Sequence, residues 1–392
     1  MSSGAMLLVL VLSGVAGGVA GFILHLFVSW LLEEIRIAEI SQSSQMQSSR
    51  KSGSQNVMLA VLLGSLTAVG VVWWEVVLKG LLHQHVIGPS AASPTLFLRA
   101  GGHVIFFWFL AAATWVDIRF RVIPDVITTP GVICGLIVMV VFPECLLPVP
   151  AVTERSFAAP FLIADFLVAW GPLNASEEIS SGIRHVVTTM GVFVLWWFAC
   201  TSRWRIQEIA MSQGVSQRAI RWIKEPCNIV FVAGVVILSV VNLYGGMRLA
   251  AAQSGMIGLA VSAGIIWVTR AGASAALGRE AMGMGDVTLM AMVGIWLGWQ
   301  PAVLVFFLAT FIGLVHGFIQ VFLHRENELP FGPSLCLAAV LITLCWQFVW
   351  NRFSIVFDDV VQLGSVLTLV VLLTAVTLFI WRLVREKIQP MA

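Results

Sequence analysis

Apolar stretches of roughly 18 residues or more recur along this chain, and each is long enough to cross a bilayer as a helix. They predict an all-α, polytopic membrane protein with about eleven spans. The spans fall near residues 5–32, 57–80, 98–116, 126–147, 186–201, 227–244, 255–270, 287–299, 301–323, 331–350 and 364–382. The first lacks a positively charged start, and its apolar stretch runs on to Leu32, too far for a signal-peptide core. It reads as a retained span.

The polar links sort by charge. One set carries Arg50, Lys51, Arg119, Arg121, Arg203, Arg205, Arg218, Arg221, Lys224, Arg270, Arg279, Arg325, Arg382, Arg385 and Lys387. The alternate set is poorer in cations, with Lys79, Arg155 and Arg184 as exceptions. The positive-inside rule makes the first set cytoplasmic, with the N-terminus outside and the C-terminus inside. Residues 33–56 form a Ser/Gln-rich inner loop. Residues 148–185 lie outside and include "FAAPFLIADFLVAWG", too short to span and read as re-entrant or interfacial. Residues 202–226 are basic, with apolar residues at helical spacing. They read either as a surface helix on the inner leaflet or as a solvated loop that fixes topology.

Composition supports the membrane reading. Only 11% of residues are charged, against about 25% in soluble domains, and the mean hydropathy is +0.96. A net charge of +2 gives no reason to expect a nucleic-acid partner. Sixteen tryptophans, many near span ends, fit interfacial anchoring. The six cysteines include no C-x-x-C pair and read mostly as small buried hydrophobes. His83 and His85 have no evident further ligands, so no metal site is expected. Within the spans, Glu75 has Lys79 four residues on as a local partner, and His316 reads as a hydrogen-bonded packing residue.

Chemistry concentrates on two acids. This topology puts Asp117 at the cytoplasmic end of the third span and Asp286 at the cytoplasmic start of the eighth. The eighth span, residues 287–299, is 13 residues long. It covers about 20 Å of a hydrocarbon core about 30 Å thick, so one end must be recessed. Two carboxylates held close cannot both ionise easily and share one proton. One then serves as base to a water while the other, protonated, polarises a carbonyl. That chemistry is peptide hydrolysis without a metal, cofactor or covalent intermediate. Gly283 and Gly285, without side chains, leave room for an extended substrate. Plainer readings make Asp286 a helix N-cap and Asp117 a juxtamembrane residue balanced by Arg119 and Arg121.

Three ordered blocks resemble the type IV prepilin peptidase family, a branch of the GxGD intramembrane aspartyl proteases. They are "DIRFRVIPD" (117–125), "GMGDVTLMAMVGIWLGW" (283–299) and "ELPFGPSLCLAAV" (328–340). The resemblance covers roughly residues 57–147 and 250–350. It implies that Asp117 and Asp286 are the catalytic pair. Pro124, Asp125, Pro330, Gly332 and Pro333 would be support or substrate-contact residues. It divides the chain into an N-terminal span and loop (1–56), a first half-core carrying Asp117 (57–147) and an insertion (148–249). A second half-core carrying the GMGD block (250–350) and a C-terminal span and tail (351–392) follow.

The departures matter too. Methylating members of the family often carry paired C-x-x-C motifs after the first span, and residues 33–56 contain no cysteine. The resemblance therefore carries cleavage to this chain and does not carry N-methylation by S-adenosylmethionine. Thr288 replaces a usual Lys, and Ala281 a usual Gly. The implied partners are prepilin-like precursors, with a basic leader on the cytoplasmic side and an apolar helix in the membrane. The implied location is the inner membrane. Anionic lipid is the expected partner of 202–226, and the residues indicate no oligomeric state. Rival readings are a GxGD peptidase with another signal-peptide-like substrate, a proton or cation path lined by the two aspartates, and a catalytically dead scaffold.

Overall fold

In the computed structural model the described residues are 3–40, 53–81, 93–147, 186–199, 226–278, 282–323 and 331–353, with isolated positions beyond. All secondary structure among them is helical. The helices are α1 (Ser3–Ile40), α2 (Gly53–Val72), α3 (Ser93–Phe120), α4 (Asp125–Val141), α5 (Val187–Ala199) and α6 (Pro226–Tyr244). There follow α7 (Gly246–Leu277), α8 (Met284–Leu297), α9 (Trp299–Leu323), α10 (Gly332–Leu344) and α11 (Trp346–Phe353). One turn of π-helix, Trp73–Val77, continues α2. The outer loop 148–185, the basic segment 202–226 apart from its last residue, His83, His85 and Pro330 lie outside the described residues, as does most of 364–382.

Five of these helices are long and apolar enough to cross a membrane, and six if one bent pair counts as a span. The expectation of about eleven is therefore met only in part. Helices α4, α5, α8 and the apolar part of α6 are shorter apolar pieces. The predicted span 331–350 is not one straight helix. It is α10 and α11, bent by 86° at their junction. The two pieces together remain apolar enough to read as one span, although Gln347, Asn351 and Arg352 make α11 the more polar of the two.

The centre of the bundle is α8. Every residue from Asp286 to Leu297 is buried, which is why its sequence shows no polar face. Helices α4, α7, α9 and α10 pack around it. The contact with α7 is backbone to backbone. Gly258 and Gly294 face each other with no room for a side chain on either, and the Ser262 hydroxyl donates to the Met290 carbonyl at 2.7 Å. Against α4, the Trp296 indole N–H donates to the Gly131 carbonyl at 2.9 Å, and Met292 fills the space beside Gly131. Small residues at helix crossings are the usual way to bring membrane helices close, because lipid supplies little hydrophobic drive. The same device joins α1 to α2, where Gly17 and Gly21 meet Gly64. The outer faces of α1 and α2 expose Leu7, Val11, Leu62 and Leu66, as helices toward lipid should.

Candidate active site

Helix α3 brings Asp117 to its last turn and ends at Phe120, beyond which Arg121 takes a left-handed φ of 56°. The chain reverses through Ile123, with Pro124 as the N-cap of α4 and Asp125 as its first residue. Ile123 is the hinge between the two acidic blocks. A Cβ on Gly285 would stand 2.7 Å from the Ile123 carbonyl oxygen. The glycine is thus what lets the start of α8 lie against the reversal after Asp117.

Asp286 follows directly. It sits in the first turn of α8, whose N-cap is Gly283, not the aspartate, and its carboxylate accepts a hydrogen bond from the Gly283 backbone N–H. The N-cap reading is corrected in position, although the side chain does reach back to the helix start. Asp117 and Asp286 are both buried, at 4% and 9% exposure. They are close enough to interact electrostatically. The plainer reading of Asp117, charge balance by Arg119 and Arg121, is not what the structure shows. Asp117 forms no ion pair among the described residues. Its Oδ2 is buried without a hydrogen-bond partner, and orphaned atoms of this kind are rare in folded proteins.

The third wall is α10. Gly332, its first residue, puts its backbone amide against the Asp117 carboxylate, and a Cβ there would collide with that carboxylate. One turn on, Cys336 is buried beside both acids and is hydrogen-bonded to the Thr114 side chain on α3. Thr114 and Cys336 are site residues that sequence reading missed. A threonine and a cysteine inside apolar runs carry no signal of their own. Beside them a groove of about 900 Å³ runs between α2, α3 and α10, lined by Thr67, Leu110, Trp115, Pro333 and Leu337 among others. Of the expected site residues, Asp117, Asp286, Gly285, Gly332 and Pro333 converge here. Gly283 is exposed at the edge, Pro124 and Asp125 follow Ile123, and Pro330 lies outside the described residues. No group of three or more metal-ligating side chains occurs among the described residues.

Comparison with known proteins addresses this region. The model of the type IV leader peptidase family matches residues 221–318, a stretch holding α6, α7, α8 and most of α9. The resemblance to the type IV prepilin peptidase family holds. Similar proteins include the prepilin leader peptidase/N-methyltransferase of Aeromonas salmonicida (strain A449). It is 40% identical over 72 residues, covering 18% of this chain and 24% of that protein. The protein of the same name in Aeromonas hydrophila is 33% identical over 108 residues, 27% of this chain and 36% of its own. That of Pseudomonas aeruginosa is 40% identical over 72 residues, 18% and 24%. The chain thus spans between a quarter and about a third of the length of these relatives. No solved structure matches. The leader peptidase match includes Asp286 and stops short of Asp117. The partnership of the two acids therefore rests on geometry and not on the match.

Proposed function

We propose that this chain is a multi-pass inner-membrane aspartyl endopeptidase that cleaves the leader of prepilin-like (type IV pilin or pseudopilin) precursors at the cytoplasmic face. Asp117 and Asp286 are its working pair. The carrying observation is that two acids remote in sequence are buried together, with glycine backbone at Gly285 and Gly332 pressed against their supports.

The chemistry follows from the pairing. One carboxylate takes a proton from water as the oxygen attacks the scissile carbonyl carbon. The other, protonated, donates to the carbonyl oxygen. Collapse of the tetrahedral intermediate breaks the C–N bond, and a proton passes to the leaving amine. Thr114 and Cys336 hold one another and leave the carboxylates to act on water. With the N-terminus outside, both acids face the cytoplasm, where a basic leader meets an apolar helix.

The ion-path reading fares worse. Between His103 and Asp117 the buried side of α3 carries Phe106, Leu110 and Ala113, all apolar. A path along this helix would be interrupted. The test is reconstitution of the protein in liposomes with a prepilin-like precursor. Release of the leader, with the new N-terminus at the junction of leader and apolar helix, supports the reading. A precursor left intact by folded protein refutes it.

A further inference from the structure

A second buried polar cluster engages α3 far from Asp117. Glu75, in the π-turn that continues α2, is fully buried. Its Oε1 stands 2.5 Å from Nδ1 of His103, and its Oε2 stands 3.5 Å from Nε of Arg99. Both partners belong to α3 and are buried. The expected pairing of Glu75 with Lys79 is not formed. Lys79 follows the π-turn with a left-handed φ of 52°. The widened turn aims Glu75 at a neighbouring helix instead of along its own. Such turns often occur at functional sites, and buried ionisable groups inside a membrane invite a functional reading.

The register of α3 supplies the connection. Asp117 lies 18 residues beyond Arg99, which is about five turns and about 27 Å. Arg99 and Asp117 therefore share one face of the helix, and His103 lies close to that face. The π-turn also holds α10. The Trp74 indole N–H donates to the Leu344 carbonyl at 3.0 Å, at the last residue of α10 before the 86° bend. At its other end α10 presents Gly332 to Asp117 and Cys336 to Thr114. Helices α3 and α10 are thus antiparallel neighbours, tied to one π-turn at one end and forming the acid site at the other.

We propose that Glu75 and Trp74 are positioning residues: the π-turn clamps α3 through Arg99 and His103, and α10 through Leu344, and so sets the height and rotation at which Asp117 meets Gly332 and Asp286. The inference rests on the reading of Asp117 and Asp286 as the working pair. The physical ground is that a helix is stiff along its axis. A slip at the clamped end is carried to the other end as displacement of the carboxylate. Mere attachment of α2 to α3 would need no charge at full burial, since apolar side chains of similar volume often hold as well or better. A buried polar triad contributes instead a fixed geometry.

The test uses the protein in detergent with Glu75→Gln, which keeps shape and removes charge, and Trp74→Phe, which removes the indole N–H together with one ring. Two readouts are taken on variants that remain folded by tryptophan fluorescence and gel filtration. The first is the oxidative cross-linking rate between native Cys336 and a cysteine placed by Thr114→Cys, which reports the α3–α10 register without reference to activity. The second is kcat and KM on a prepilin-like precursor. The expected result is a clear fall in cross-linking and a fall in kcat of about tenfold with KM little changed. Cross-linking and kcat both at the parent level in either folded variant overturn the clamp. If Glu75→Gln does not fold, Trp74→Phe decides alone. If wild-type protein shows no cleavage, the proposed function fails and the cross-linking arm still decides whether the clamp sets the register.

Discussion

Gly332 meets Asp117 with no room for a β-carbon between them. The first residue of α10 therefore sets how close that helix comes to the carboxylate. Gly332→Ala should push the two apart and lower kcat by about tenfold or more, because small misplacements of reacting groups are costly. A Cβ added at Gly264, on α7, would meet nothing within 4 Å, so Gly264→Ala is the matched control. It should leave the rate unchanged and stabilise by about 0.4–1 kcal/mol. Steady-state kinetics with thermal unfolding checks both.

The two glycines of the GMGD block should differ from each other. Gly285 is wedged on Ile123, with its carbonyl oxygen 2.7 Å and its Cβ 2.9 Å from an added Cβ. At Gly283 the nearest atoms to an added Cβ are at 3.8 and 3.9 Å, an ordinary contact distance. Gly285→Ala should cost about 1–3 kcal/mol through overpacking, while Gly283→Ala should be nearly neutral in stability. Denaturation in detergent distinguishes them. Any effect of Gly283→Ala should be confined to KM, because the residue is exposed where substrate would arrive.

The buried triad makes a stability prediction independent of catalysis. Glu75→Ala strips the partner from Arg99 and His103 and should destabilise by about 3–5 kcal/mol. Replacing all three together by apolar side chains of similar volume should recover most of that loss. Unfolding of the single and the concerted variants measures the difference.

Sequence reading singled out both acids, the glycines and the third block because they are polar or special residues interrupting apolar runs. Their convergence needed only that Asp117 and Asp286 share one side of the membrane. What it could not find was of two kinds. Glu75 was assigned its neighbour at four residues' spacing, and the π-turn breaks that spacing, so the true partners were Arg99 and His103 on another helix. The pairing of Thr114 with Cys336 lies in apolar sequence, where nothing marks a polar contact, and the bend after Leu344 was passed over although Gln347, Asn351 and Arg352 make the stretch beyond it more polar. The difference between the expected spans and the long apolar helices among the described residues has in part a similar origin. The short apolar helix α8 reads like a span, but it is buried on all sides by other helices.

The central claim is that Asp117 and Asp286 act together on one peptide bond. Its most direct test compares wild type, Asp117→Asn and Asp286→Asn in liposomes on the same prepilin-like precursor. Each substitution keeps the shape of the side chain and removes its capacity to carry a proton as an acid or base. Each should slow leader release by about 10²–10⁴-fold in protein that remains folded. Cleavage at the wild-type rate by either variant would contradict the pairing.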